Sequence, residues 1–347
     1  MMYGDFYNKL LAADQGEFTP RRLSRIFEVP EQCFVHYDNK ENILFVPSFL
    51  PDYAIETSLL KGTFFITPRK IIRGYPKIFM STDYSSMSAA AKTERELLST
   101  LKNGEIIFEE KIDGVNIRLF ENEGEFFFAT RKRIDGIPRD AREKRWGEIA
   151  KRIISTKYSG ALTLASEGII PVLEIVSPEF DHLYIQSEKE DAYLIDVIRK
   201  DYQFTDRTEK EKIAEKYGLQ IPRLISKINQ SQDITSFNRQ LRGLEHYSET
   251  LRLEGVVGKS IVYDTTGKRT SDQIFLKVKI QEVREIHKSI GVQRRIIDIV
   301  LEGLKETEKD KQKVLLAAEE EFREDGYHID DAFKNVLLER YEERYDT

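Results

Sequence analysis

Lys111-Ile112-Asp113-Gly114 stands between two runs of β-branched and aromatic residues, Ile106-Ile107-Phe108 and Ile117-Arg118-Leu119-Phe120. The runs predict two strands that meet at the four-residue signature, with Gly114 supplying the bend. An amine fixed at a strand end is well placed to meet an electrophile in line, which makes Lys111 a candidate nucleophile. A free lysine titrates near about 10.4 and must lose its proton before it can attack. Burial and the downstream cations Lys277 and Lys279 are expected to disfavour its charged form.

Three fixed letters carry little information alone. More lies in the charges that follow in order. Glu174 interrupts the apolar run Pro171-Val172-Leu173-Glu174-Ile175-Val176, and Asp196 interrupts Tyr193-Leu194-Ile195-Asp196-Val197-Ile198. An acid in an apolar strand is paired, bound to a metal, or simply facing outward on an alternating strand. In Lys277-Val278-Lys279 the period of two puts both ammonium groups on one face, either around an anion or as solubilising charge on an edge. The basic residues from Leu59 to Phe79, Lys77 among them, read as an edge protected by cations or as phosphate contacts. The dense stretch from Arg131 to Arg152 is interspersed with acids, as a solvated helix face would be. It is also the densest basic stretch of the chain.

These residues need strands to position them. Two strands joined by a turn at Pro68 are expected in 59–79, a hairpin turn at Glu121 to Glu125 should return a strand carrying Arg131 beside the signature, and further strands are expected at 171–179, 192–199, 253–259 and 275–280. Helices are expected at 6–11, at 20–27 behind the cap Thr19, and at 86–101, 139–155, 207–217 and 234–243. Beyond Val283 the pattern is helical, at 290–304, 311–323 and 332–345. The division that follows is a small N-terminal module over 1–57, a strand-rich domain over 58–281 and a helical C-terminal domain over 282–347.

The net charge of −6 excludes a global basic field, so any nucleic-acid contact must be local. A single cysteine, Cys33, excludes an intrachain disulfide and a cysteine zinc cluster, and with no apolar span or signal-like start the expectation is a cytoplasmic protein without membrane contact.

The ordered set Lys111-x-Asp113-Gly114, Arg131, Glu174, Asp196, Glu254-Gly255-Val256-Val257 and Lys277-x-Lys279 resembles the motif series of the covalent nucleotidyltransferases, the polynucleotide ligases and capping enzymes. Lys61-Gly62-Thr63-Phe64-Phe65, Arg73-Gly74-Tyr75-Pro76-Lys77 and Glu109 through Arg118 are most similar to ATP-dependent RNA ligases of the archaeal homodimeric type. Glu174-Ile175-Val176-Ser177-Pro178-Glu179 adds a likeness to phage ligases that repair transfer RNA. Lys61 stands where an arginine is usual, and Ile195 where an aromatic often precedes the acid.

The resemblance implies an α+β nucleotidyltransferase fold of two antiparallel sheets flanked by helices, with a helical C-terminal appendage and the nucleotide between the sheets. It implies ATP and Mg²⁺, or Mn²⁺, as cofactors, and RNA with 5′-phosphate and 3′-hydroxyl ends as substrate, with a homodimer possible. Lys111 would form lysyl-AMP, and Lys277 and Lys279 would balance the α-phosphate. Glu174 and Glu254 would hold the metal, and Asp113 and Arg118 would organise sugar and phosphate. Glu109 and Tyr193 would border the adenine, Lys77 would meet the departing pyrophosphate, and Ile112, Arg131 and Asp196 would complete the nucleotide site. DNA joining, GTP-dependent capping and a non-catalytic ATP- or RNA-binding protein are the alternatives.

Overall fold

The computed structural model describes residues 2–38, 40–47, 59–76, 78–80, 105–131, 133–134, 144–179, 187–228, 234–263, 269–281 and 283. Lys77, the helix expected at 86–101 and the three C-terminal helices lie outside the described residues. The chain divides into two compact units, Met1–Ile280 and Gln281–Thr347. In chain order the first unit contains α1 (Met2–Asp14), α2 (Pro20–Phe27), β1 (Val35–Tyr37), β2 (Lys40–Phe45), β3 (Phe64–Ile66), β4 (Lys70–Ile72), β5 (Phe79–Met80), β6 (Ile106–Glu110), β7 (Val115–Asn122) and β8 (Glu125–Ala129). Then come α3 (Lys144–Lys157), α4 (Gly160–Ser166), β9 (Ile170–Val176), β10 (Asp191–Ile198), α5 (Arg207–Tyr217), β11 (Leu224–Ile228), α6 (Ile234–Thr250), β12 (Gly255–Tyr263) and β13 (Arg269–Lys279).

Two sheets make the frame of the site. One is four-stranded in the order β10-β9-β7-β8, the other five-stranded in the order β11-β6-β12-β13-β5, and a smaller sheet runs β1-β2-β3-β4. All pairings are antiparallel except β13 with β5. The fold is thus the expected mixed class, with a third sheet that sequence patterning does not separate.

Alternation along the strands sorts side chains into layers. Ile117, Leu119, Leu173, Ile175, Ala192 and Leu194 face a core shared with Ile149, Ile153, Leu164 and Ala214 of α3, α4 and α5. Phe108, Val256, Leu276 and Val278 of the other sheet face a core shared with Phe6, Leu10, Leu23, Phe27, Phe237 and Leu241 of α1, α2 and α6. The N-terminal helices therefore close one face of the five-stranded sheet, and the boundary expected after residue 57 separates no compact body. Between the layers Phe64, Tyr75, Phe120, Val172, Phe204 and Val257 pack together.

Local signals act as expected at two places. Thr19 caps α2 through its side chain at 3.3 Å, with Pro20 in the first turn. Glu123 and Gly124 take positive φ of 55° and 85°, which makes the two-residue hairpin turn between β7 and β8. One boundary differs: α6 does not stop at Gly243 but runs to Thr250. The buried spacing Phe237, Leu241, Leu244 and Ser248 continues through the glycine, so packing outweighs its modest helical cost.

Candidate active site

Lys111-Ile112-Asp113-Gly114 is the link from β6 to β7, and those two strands belong to different sheets. Lys111 lies one residue past the strand end, yet its backbone N–H donates to Gly255 O at 2.9 Å and so extends the ladder with β12. Gly114 is required for close approach more than for a bend. A Cβ there would stand 2.4 Å from the carbonyl oxygen of Ile175 on β9.

A cavity of about 490 Å³ opens over this link. Pro76, Ile78, Ile112, Ile195, Pro222 and Val257 give it apolar walls, and Lys61, Lys111, Arg131, Lys259 and Lys277 bring cations to it. Glu109, Glu110, Asn116 and Glu174 supply the acceptors. The mixture suits a ligand with a flat apolar part and a polyanionic part, and the volume lies within the usual range of small-ligand sites.

Lys111 donates through Nζ to Glu254 Oε2, while Lys279 Nζ lies 2.5 Å from Glu254 Oε1. Both oxygens of this carboxylate are therefore taken by ammonium groups, and only 2% of its side chain is exposed. Burial acts to raise the Glu254 pKa, but Lys111 and Lys279 outweigh it and hold the carboxyl below its ordinary range. Burial likewise acts to lower the Lys111 pKa, but Glu254 and Glu174 outweigh it and raise the value. The lowered Lys111 pKa expected from burial and from Lys277 and Lys279 is thus not found in this state, because Glu254 and Glu174 outweigh burial. Lys279 itself is lowered, chiefly by burial.

Glu174 sits on the cleft face of β9. Asn116 Nδ2 donates to its Oε2 at 3.3 Å, and burial raises its carboxyl to about 7 against the pull of Lys111. The Oδ1 of Asn116 is buried with no hydrogen-bond partner. A carboxylate and an unsatisfied oxygen at the same cavity fit a hard cation that completes its shell with ligand oxygens and water. Among the described residues no three acids, histidines or cysteines form a preassembled metal cluster. Glu174 therefore fits the expected metal role, whereas both oxygens of Glu254 are held by ammonium groups.

Beneath the cavity lies a second set of charges. Glu109 receives Lys210 Nζ at 2.6 and 2.7 Å, Arg207 Nη1 at 2.8 Å and Lys259 Nζ at 2.9 Å. Asp196 lies 3.3 Å from Lys259 and accepts from the Tyr75 hydroxyl at 3.3 Å. Lys210 and Lys259 both donate to the carbonyl oxygen of Ile195, whose side chain lines the cavity. Burial and the neighbouring Lys259 lower Lys210 to about 7. The cluster fastens β6 and β12 of one sheet to β10 of the other, so it holds the cleft floor in place.

These contacts redistribute the expected roles. Glu109 has both oxygens engaged and is 2% exposed, whereas Glu110 also lines the cavity and is held by Arg223 on one oxygen. Asp196 and Tyr193 do not line the cavity. Asp196 is buried in the ionic cluster, and Tyr193 is half-buried opposite Glu174 in the β9–β10 register. Arg118 is fully buried and donates to Arg73 O at 2.7 Å and Thr130 O at 2.8 Å, which makes it a strut between segments instead of a phosphate contact. Asp113, half-buried beside the link, adds negative charge that favours protonated Lys111. Of the basic stretch, Arg131 lines the cavity. Arg133 is paired with Asp38 at 2.7 Å, and Arg152 with Glu179 at 2.7 Å and with Glu190. Lys132, Arg139 and Arg142 of the same stretch lie outside the described residues.

Sequence reasoning missed Glu110, Asn116, Lys259 and Lys210. Period-two alternation with Val257 along β12 is a usable signal for Lys259, but nothing in the sequence ties α5 to the cleft floor.

A family model described as RNA ligase matches residues 58–284. The chain belongs to the RNA ligase family. Among solved structures, the ligase is similar to an archaeal ATP-dependent RNA ligase, with a TM-score of 0.50 and 14% identity over 95% of this chain and 80% of that one. A mutant RNA ligase from Naegleria gruberi, solved with ATP and manganese, gives a TM-score of 0.43 and 13% identity over 62% of this chain and 58% of that one. At such identities the likeness to the archaeal protein speaks for the fold alone, and it agrees with the layered sheets described above. No curated protein matches the sequence. Among the described residues no helix is long and apolar enough to cross a membrane.

Proposed function

We propose that the chain joins RNA ends bearing a 5′-phosphate and a 3′-hydroxyl, using ATP through lysyl-AMP and RNA-adenylate intermediates. The observation that supports this reading is the placement of Lys111 at the crossing between two sheets, facing a cavity with apolar walls, cations and the carboxyl group of Glu174.

In the first step Lys111 Nζ, having lost a proton to solvent, attacks the α-phosphorus of ATP. The N–P bond forms as the P–O bond to pyrophosphate breaks. In the resting protein Glu254 keeps the amine protonated, and Lys279 provides the means of release. When Lys111 leaves, Glu254 retains a cation on its other oxygen, so no buried carboxylate is stranded. Lys277, Arg131 and Lys61 line the cavity as charge partners for phosphate oxygens, where they act by electrostatic stabilisation. A divalent cation, Mg²⁺ or Mn²⁺, would be held by Glu174 and phosphate oxygens beside Asn116, and when bound it neutralises phosphate charge. The walls formed by Ile195, Val257 and Pro222 take the base, and Glu110, an acceptor only, meets its amino group. In the second step AMP passes to the 5′-phosphate of RNA. In the third, a 3′-hydroxyl attacks that activated phosphate and expels AMP.

Incubation with α-labelled ATP and Mg²⁺, followed by denaturing electrophoresis, tests the first step. The expected result is label on the wild-type chain and none on Lys111→Ala. Equal labelling of both would remove Lys111 as nucleophile, and an unlabelled wild type that still binds ATP would favour a non-catalytic nucleotide-binding protein.

A further inference from the structure

We propose that the rim of the cavity formed by the start of β11 and the C-terminal end of α6 is the surface on which the RNA strand stacks as it enters the site. The inference rests on the RNA-joining function proposed above and gives it a docking surface.

Three of the four large apolar side chains exposed among the described residues gather here. Leu224 is 43% exposed, Tyr247 47% and Leu251 38%. Leu224 opens β11, an edge strand of the five-stranded sheet, and Leu251 follows Tyr247 by one helical turn through a backbone hydrogen bond of 3.1 Å. Arg223 ties this patch to the cavity. Its Nε donates to Glu110 Oε2 at 2.6 Å, its carbonyl accepts from the Glu110 backbone at 2.9 Å, and the preceding Pro222 lines the cavity wall. The Arg223 side chain is 60% exposed, and its guanidinium lies within electrostatic range of the phenols of Tyr193 and Tyr247.

Exposed tyrosine beside an exposed arginine is the combination that receives single-stranded nucleic acid. Bases stack on the ring whatever their sequence, and the guanidinium meets the phosphates. Continuity with the wall that takes the nucleotide decides the occupant. A strand whose 5′-phosphate must reach the adenylate has to cross the mouth of this cavity, and this rim is the aromatic and cationic part of it. A protein partner would also cover exposed leucines, but it gives no reason for an arginine paired to a cavity-lining acid.

The test measures binding of a fluorescent single-stranded RNA, together with lysyl-AMP formation, for wild type, Tyr247→Ala and Tyr247→Phe. Loss of one stacked base is expected to weaken RNA binding by about 5- to 150-fold in Tyr247→Ala, while Tyr247→Phe, which keeps the ring, stays near wild type. Lysyl-AMP formation should be unchanged in both, since Tyr247 does not line the cavity. Arg223→Ala should flatten the slope of log K against log salt by about 0.7, the share of a single phosphate that the guanidinium neutralises. Wild-type RNA binding by Tyr247→Ala would overturn the inference, as would equal losses in Ala and Phe variants. So would a change in sedimentation of Tyr247→Ala with RNA binding intact, which would make the patch a protein interface. Failure of lysyl-AMP formation in the wild type would count instead against the proposed function, because RNA binding is read without catalysis.

Discussion

Glu174 offers the sharpest link between the architecture of this site and a measurable quantity. Burial raises its carboxyl from 4.5 to about 7 in the folded chain, so folding favours the protonated acid. A group raised in this way stabilises the fold below its unfolded pKa, and the contribution is lost as pH rises through the folded value. At about 1.36 kcal/mol per unit, the loss between pH 5 and pH 8 comes to roughly 2.5 kcal/mol, and the opening of the side chain to the cavity reduces this to about 2 kcal/mol. Glu174→Gln keeps the shape and removes the titration. In urea unfolding without nucleotide or metal, the variant should match the wild type near pH 5 and exceed it by about 2 kcal/mol at pH 8. The same variant should fail to form lysyl-AMP, since the acid that destabilises the resting fold is the one fitted to the metal. A stability difference that is the same at both pH values would refute the account, because it would mean that Glu174 is not held as a buried acid.

Two further expectations follow from the packing around the nucleophile. Burial and Lys259 lower Lys210 to about 7, so its charge is disfavoured on folding, and Lys210→Met leaves Glu109 with Arg207 and Lys259; in urea unfolding the variant should gain on the wild type by about 1 kcal/mol as pH falls from 8 to 6. Gly255 has φ of +150°, and a Cβ there would lie 2.0 Å from the carbonyl oxygen of Val278. Gly255→Ala should destabilise the chain by about 1–3 kcal/mol and slow lysyl-AMP formation by displacing the adjacent Glu254, as followed by unfolding and by the labelling assay.

Alternation makes much of the site legible in the amino-acid order alone. The apolar positions of β6, β9, β12 and β13 face the helices, so Glu174, Lys259, Lys277 and Lys279 are left for the cleft face. The order of the charged motifs points to a covalent nucleotidyltransferase, and the family match agrees. The errors share a cause. Arg118 follows the same alternation and faces the space between the sheets, but Arg73 O and Thr130 O cap it there, and those contacts come from segments 45 and 12 residues away. Glu109 is expected to face a base because nothing local shows that α5 delivers Arg207 and Lys210 beneath it.

The sequence by itself determined which residues stand on strands, which face each presents, and that a lysine lies where one strand hands over to the next. These follow from steric preferences and a period of two, which act between near neighbours in the chain. Only the tertiary structure decided that the handover crosses between two sheets, and that Lys111 and Lys279 share Glu254 across 143 and 25 residues. It also decided that the Glu109 carboxylate is taken up by Lys210, Arg207 and Lys259. Those outcomes depend on desolvation and on Coulomb forces at separations of about 3 Å, which come into being only when distant segments pack together.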